Sequence, residues 1–109
     1  MSELDLGPAA AIPEGGSKGY HSGSELLFAV KKGGEIYLYR NSCPHVGIPL
    51  EWVPDRFLDP SGALIQCANH GAQFTIEDGH CVAGPCRGQA LEAIAYTLRD
   101  GHLFAQIDV

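Results

Sequence analysis

Cys43-Pro44-His45 and Cys67-Ala68-Asn69-His70-Gly71 are two short runs in which metal-binding side chains crowd together. Each run offers one thiolate donor and one imidazole donor, one or two residues apart. A thiolate pair and an imidazole pair presented from two tight turns fit a two-iron cluster, with one iron on sulfur and the other on nitrogen. The alternative is a zinc site with two cysteines and two histidines. Zinc sites usually pair cysteine with cysteine and histidine with histidine at short spacings. Here each arm mixes the two types, and a glycine (Gly47, Gly71) closely follows each histidine. Glycine permits the sharp backbone that such a turn needs, and the repeat of the whole pattern argues against zinc.

The surrounding chain must hold these turns, and it reads as short strands. Leu26–Lys31 and Glu35–Arg40 flank Lys32-Gly33-Gly34, a hairpin signal that delivers the chain to Cys43. Ala63–Gln66 leads into the second turn and Ala72–Ile76 leads out of it, followed by a turn at Glu77-Asp78-Gly79. Ala93–Leu98 and His102–Ile107 bracket Asp100-Gly101, a strong hairpin signal. No window has a helical period, and turn residues recur every ten or so positions, as in a sandwich or small barrel. An all-β domain of that kind puts its functional turns on hairpin loops at one tip of a stiff scaffold. Residues 1–16, rich in Gly, Pro and Ala, read as a loosely held lead-in to a domain over 17–109.

C-x-H-x-G followed by C-x-x-H-G-x-x-F resembles the Rieske iron–sulfur proteins. The resemblance runs from about Tyr37 to Pro85 by motif. It implies an antiparallel β-sandwich or small barrel with one [2Fe-2S] cluster held at the tip by two hairpin loops. It assigns Cys43 and Cys67 to one iron and His45 and His70 to the other. Gly79-His80-Cys81-Val82-Ala83-Gly84-Pro85 stands where Rieske proteins carry a proline-containing loop that shields the cluster. Gly47, Gly71 and Pro85 would then shape its cover.

Departures from the family pattern carry information. High-potential respiratory members have an extra cysteine in each arm, joined as a disulfide; the matching positions here are Ile48 and Asn69. Those members also follow the second arm with a serine and a tyrosine that donate to cluster sulfur, where this chain has Ala72 and Phe74. Fewer donors stabilise the added electron less, which implies a potential near the low end of the Rieske range, about −150 mV. Twenty-one residues, Val46 to Gln66, separate the arms, and Trp52 and Phe57 in that stretch read as cover for the side of the domain. Cys81 and Cys86 bracket the proline loop and read as reduced, buried side chains, with a disulfide that ties off the loop as the alternative. His21, His80 and His102 read as surface or strand residues without a metal role.

Size and charge limit what the site can serve. The 109 residues make one domain, with 45% hydrophobic residues for a modest core. There is no room beside the cluster for the two-histidine, one-carboxylate iron of an oxygenase, and no Gly-rich dinucleotide fingerprint. Thirteen acidic against seven basic residues, a formal charge of −6, argue against nucleic acid and suit docking on a basic patch. Met1–Pro8 has neither the basic nor the apolar region of a leader, and no stretch is apolar enough to span a membrane. The resemblance therefore implies a cytoplasmic, monomeric Rieske-type ferredoxin. It would pass single electrons from a flavin reductase to a terminal oxygenase or similar acceptor, without being an enzyme itself. The alternative it leaves is a redox or regulatory subunit bound stably to a larger enzyme, like the small subunit of some nitrite reductases.

Overall fold

A computed structural model describes residues 2–22, 25–42, 57–59, 61–67, 72–84 and 88–107. Among the described residues, nine strands follow in chain order: β1 (Ser2–Pro8), β2 (Ser17–Ser22), β3 (Glu25–Lys32), β4 (Glu35–Arg40), β5 (Leu64–Gln66), β6 (Gln73–Thr75), β7 (Cys81–Ala83), β8 (Tyr96–Arg99) and β9 (His102–Ile107). The only helical element among the described residues is one 3-10 turn, Ala9–Ala11. The strands form three antiparallel sheets, ordered β1-β9-β8, β2-β3-β4 and β5-β6-β7. The all-β expectation holds.

The middle sheet explains a peculiarity of the sequence. Leu27-Phe28-Ala29-Val30 is an unbroken apolar run with no polar alternation, and all four residues are buried. An unbroken run suits a strand covered on both faces. Leu27 and Ala29 join one core with Ile36, Leu38, Leu103 and Ala105, shared with the β1-β9-β8 sheet. Phe28 and Val30 point the other way, into a second core with Tyr39, Phe57, Ile65, Phe74 and Ile76. That second core lies between the middle sheet and the β5-β6-β7 sheet. Phe28 stacks on Phe57 there, with centroids 4.4 Å apart and planes within 6°. Such a ring pair contributes about 0.5–1.5 kcal/mol beyond its buried area.

Residues 2–8 correct one reading. The segment taken as a loosely held lead-in contains β1, paired to β9 from Ser2↔Ile107 through Asp5↔Phe104. The signal was the alternation of Leu4 and Leu6, which pack against the first core while Glu3 and Asp5 face out. Glycine and proline on either side masked it. Ile12, 1% exposed, anchors the following turn in the same core. The last hairpin also starts later than the sequence suggests, at Tyr96 rather than Ala93. Residues 92–94 instead run beside β4: Arg40 N–H donates to Glu92 O, Ile94 N–H to Leu38 O, and Tyr39 bridges Ala93. The Asp100-Gly101 turn is as expected, with both residues at positive φ (52° and 79°).

Candidate metal centre

The second arm is a hairpin built to hold its cysteine still. In β5 and β6, Leu64 pairs with Thr75, Ile65 with Phe74 and Gln66 with Gln73. Cys67 N–H then donates to Ala72 O at 2.8 Å, extending the ladder one step. Cys67 and Ala72 are both fully buried, in the second core. A cysteine in such a place has its backbone fixed by strand pairing.

The chain entering this arm is braced along β5. Phe57 O accepts from Gln66 N–H, Leu58 bridges Ile65, and Asp59 N–H donates to Leu64 O. Phe57 is wholly buried, so of the two aromatics read as cover, it belongs to the main core; Trp52 lies outside the described residues. The Asp59 carboxylate accepts from Ser61 Oγ at 2.8 Å and from the Ala63 and Leu64 amides. The Ser61 hydroxyl first, with the amides behind it, holds the Asp59 carboxyl below the ordinary carboxylate range.

The first arm leaves the middle sheet. Arg40 at the end of β4 is held twice by Glu92, through its N–H to the Glu92 carbonyl and through Nε to the carboxylate at 3.2 Å. Asn41 N–H donates to Leu26 O, which carries strand pairing to within two residues of Cys43. Cys43, His45, Gly47 and Ile48 lie outside the described residues, as do Asn69, His70, Gly71, Pro85 and Cys86. Of the four assigned ligands, Cys67 lies among the described residues.

The proline-loop segment approaches the second arm directly. β7 pairs with β6, and Gly84 follows it at φ +97°. A Cβ on Gly84 would lie 2.7 Å from Ala72 Cα, so backbone meets backbone where the arm closes. Cys81 is buried against the same core, its thiol donating to Ala83 O at 3.2 Å. Ala72 and Phe74, the positions without hydroxyls, are both fully buried beside Cys67. His102 serves strand packing, with Nδ1 3.1 Å from Asp5 Oδ1. Tyr39 was missed by sequence reasoning. Its phenol O–H crosses from β4 to donate to Ile76 O at 2.6 Å, and only the apolar alternation of Tyr37 and Tyr39 signalled that the ring points inward.

Among the described residues, the structure brings together a buried cysteine at the end of a braced hairpin, the end of β4 that leads towards Cys43, and Gly84 seated against Ala72. The chain belongs to the Rieske [2Fe-2S] domain family, whose model matches residues 2–102. It is 29% identical over 107 residues to the cytochrome b6-f complex iron-sulfur subunit of Chlorobaculum tepidum, covering 98% of this chain and 55% of that protein. The chain therefore spans about half the length of the curated relatives it matches. Among solved structures it is similar to the Sphingomonas yanoikuyae B1 ferredoxin, with a TM-score of 0.76 and 25% identity over 98% of this chain and all of the ferredoxin. The ferredoxin of carbazole 1,9a-dioxygenase from Nocardioides aromaticivorans shares the fold, at a TM-score of 0.75 and 16% identity over 96% of this chain and 97% of that one. The domain is a Rieske-type electron carrier, and its cofactor is a [2Fe-2S] cluster. No helix among the described residues is long and apolar enough to cross a membrane.

Proposed function

We propose that this protein is a Rieske-type ferredoxin that delivers single electrons from a flavin reductase to a terminal oxygenase. The observation that carries the reading is the end-to-end likeness to a ferredoxin, 98% of this chain against the whole of that one. Ferredoxin and oxygenase of carbazole 1,9a-dioxygenase form a complex, and an oxygenase is the acceptor proposed here.

Cys43 and Cys67 hold one iron and His45 and His70 the other. When bound, the cluster supplies one reversible electron per chain. The protein's own residues do the rest. The β5-β6 ladder fixes Cys67, the Arg40–Glu92 clamp steadies the approach to Cys43, and Gly84 lets the covering loop sit against Ala72. His45 and His70, as imidazole ligands, would allow a proton on the outer ring nitrogen to be gained or lost as the charge of the cluster changes. The net charge of −6 suits a transient encounter with a basic partner surface.

The test is to reduce the purified protein with dithionite, record EPR, and then mix it with an oxygenase component. A rhombic signal of low average g that disappears on mixing supports the reading. A signal that the oxygenase leaves untouched overturns the acceptor assignment. A Cys67→Ser variant that retains the wild-type signal overturns the ligand set.

A second reading is favoured by the b6-f relatives, which are subunits of a larger complex. In that case the protein would co-purify with a partner in fixed stoichiometry rather than elute alone.

A further inference from the structure

The two ligand arms spring from different sheets, the first from β4 and the second from the β5-β6 hairpin. Whatever fixes the middle sheet against the β5-β6-β7 sheet therefore fixes the separation of the arms. Among the described residues, a fully buried polar bond crosses that boundary. The Tyr39 phenol, four residues before Cys43 on the strand that becomes the first arm, donates to the carbonyl of Ile76, four residues beyond Ala72 on the second. The β6-β7 turn is moulded to the ring: a Cβ on Gly79 would fall 2.8 Å from Tyr39 Cε1. Tyr39 is 2% exposed and lies 5.7 Å from the Phe28 ring, so it has little freedom to move. Two further polar contacts tie these layers: Lys32 to Glu77 at 2.8 Å is half exposed and contributes little, and Phe57 N–H donates to Ser17 Oγ at 3.2 Å, from β2 rather than from the strand that leads to the first arm.

We infer that Tyr39 is a positioning residue for the cluster: its bond to Ile76 sets the spacing of the two arms before any metal arrives. The inference rests on the ligand set proposed above. Pre-organisation of this sort lowers the ordering cost of loading the site, because a scaffold already at the correct spacing has less freedom to lose. Burial keeps the phenol protonated, and hence a donor, to high pH.

The structure supplies its own control. Tyr96 makes the same bond, phenol O–H to the Ile36 carbonyl at 2.8 Å, but it ties β8 to β4 and joins no two arms. Tyr39→Phe and Tyr96→Phe each delete one hydroxyl from a packed ring. If Tyr39 positions the arms, Tyr39→Phe loses the cluster about fivefold faster than Tyr96→Phe under chelator, at conditions matched for fraction folded. Its EPR g values and midpoint potential also move from wild type, while those of Tyr96→Phe do not. Gly79→Ala, which pushes the turn off the ring, repeats the Tyr39→Phe spectral change. Equal cluster-loss rates and unshifted spectra in both phenylalanine variants overturn the inference. A wild-type chain that never gives the rhombic signal overturns the ligand set, and the inference with it.

Discussion

Gly84 offers the sharpest test of how the covering loop is seated. Replacing it with alanine has two separable costs. At φ +97° an L-residue sits in the left-handed region, which costs about 1–2 kcal/mol. The new methyl would also stand 2.7 Å from Ala72 Cα, 3.1 Å from Ala72 Cβ and 3.2 Å from Ala72 N. Carbon–carbon contacts are best at about 3.5–4.0 Å, so the loop must retreat by roughly 1 Å. Ala72 cannot yield, because its own carbonyl is held by Cys67 N–H in the closing pair of the hairpin. Overpacking of this kind costs about 1–3 kcal/mol, giving about 2–5 kcal/mol in all. Gly88 isolates the backbone part. Its φ is +93° and no atom of the described residues lies within 4 Å of its Cβ position, so Gly88→Ala should cost only about 1–2 kcal/mol. Urea unfolding of the two variants at unchanged m-value reads the difference. In the loaded protein, Gly84→Ala should also shift the EPR spectrum, as the cover lifts from the arm, and Gly88→Ala should not. Variants equal in stability to within about 0.5 kcal/mol would refute the seating of Gly84 on Ala72.

Three further outcomes follow from the same residues. Voltammetry should place the midpoint near the low end of the Rieske range, about −150 mV, with Ala72→Ser or Phe74→Tyr moving it upward; a wild-type value well above zero would remove the argument from missing hydroxyls. Burial, aided by the nearby Asp78 charge, pushes the Tyr39 phenol up to about 12. A folded value above the unfolded one, about 10, makes its contribution complete below pH ~10 and erodes it as pH rises towards 12. That contribution is at most roughly 2–3 kcal/mol, so the stability gap between wild type and Tyr39→Phe should close over this range in alkaline melts. Asp59 runs the opposite way: its depressed value gives stability present above the ordinary carboxylate range and lost as pH falls through the folded value. Asp59→Ala should flatten the acid limb of a stability profile, measured by unfolding between neutral and acid pH.

The hairpins were legible because their signals are local. Leu26–Lys31 and Glu35–Arg40 around Gly33-Gly34, and the Asp100-Gly101 turn, are strand and turn chemistry within a dozen residues of each other. β1 was not, because its partner β9 lies at the other end of the chain and nothing near Leu4 and Leu6 announces it. The ligand arms were legible for a different reason: two copies of an uncommon donor pattern need no structure to be noticed. What surrounds them depends on long-range contact. Tyr39 meets Ile76 only once the middle sheet has packed on the β5-β6-β7 sheet, and Gly84 meets Ala72 only once β6 and β7 have paired; neither contact has a signature in the neighbouring residues.

The layering suggests why one scaffold resembles both a b6-f subunit and free-standing ferredoxins. The site's geometry is set deep in the second core, by Phe28 on Phe57 and by Tyr39 on Ile76, where substitution costs stability. The outer sheet, β1-β9-β8, packs on the opposite face of the middle sheet, against the first core, and shares none of the residues that brace the arms. Its outward side chains are joined in exposed pairs, Glu3 to Arg99 by an ion pair and Asp5 to His102 by a hydrogen-bond contact, that contribute little to stability. Charge there can change without disturbing Cys67 or Ala72. Reversing Glu3 and Arg99 together should therefore leave the EPR spectrum and midpoint potential of the loaded protein unaltered. A shift in either would show that the two cores are mechanically coupled and that the site is not insulated from its outer sheet.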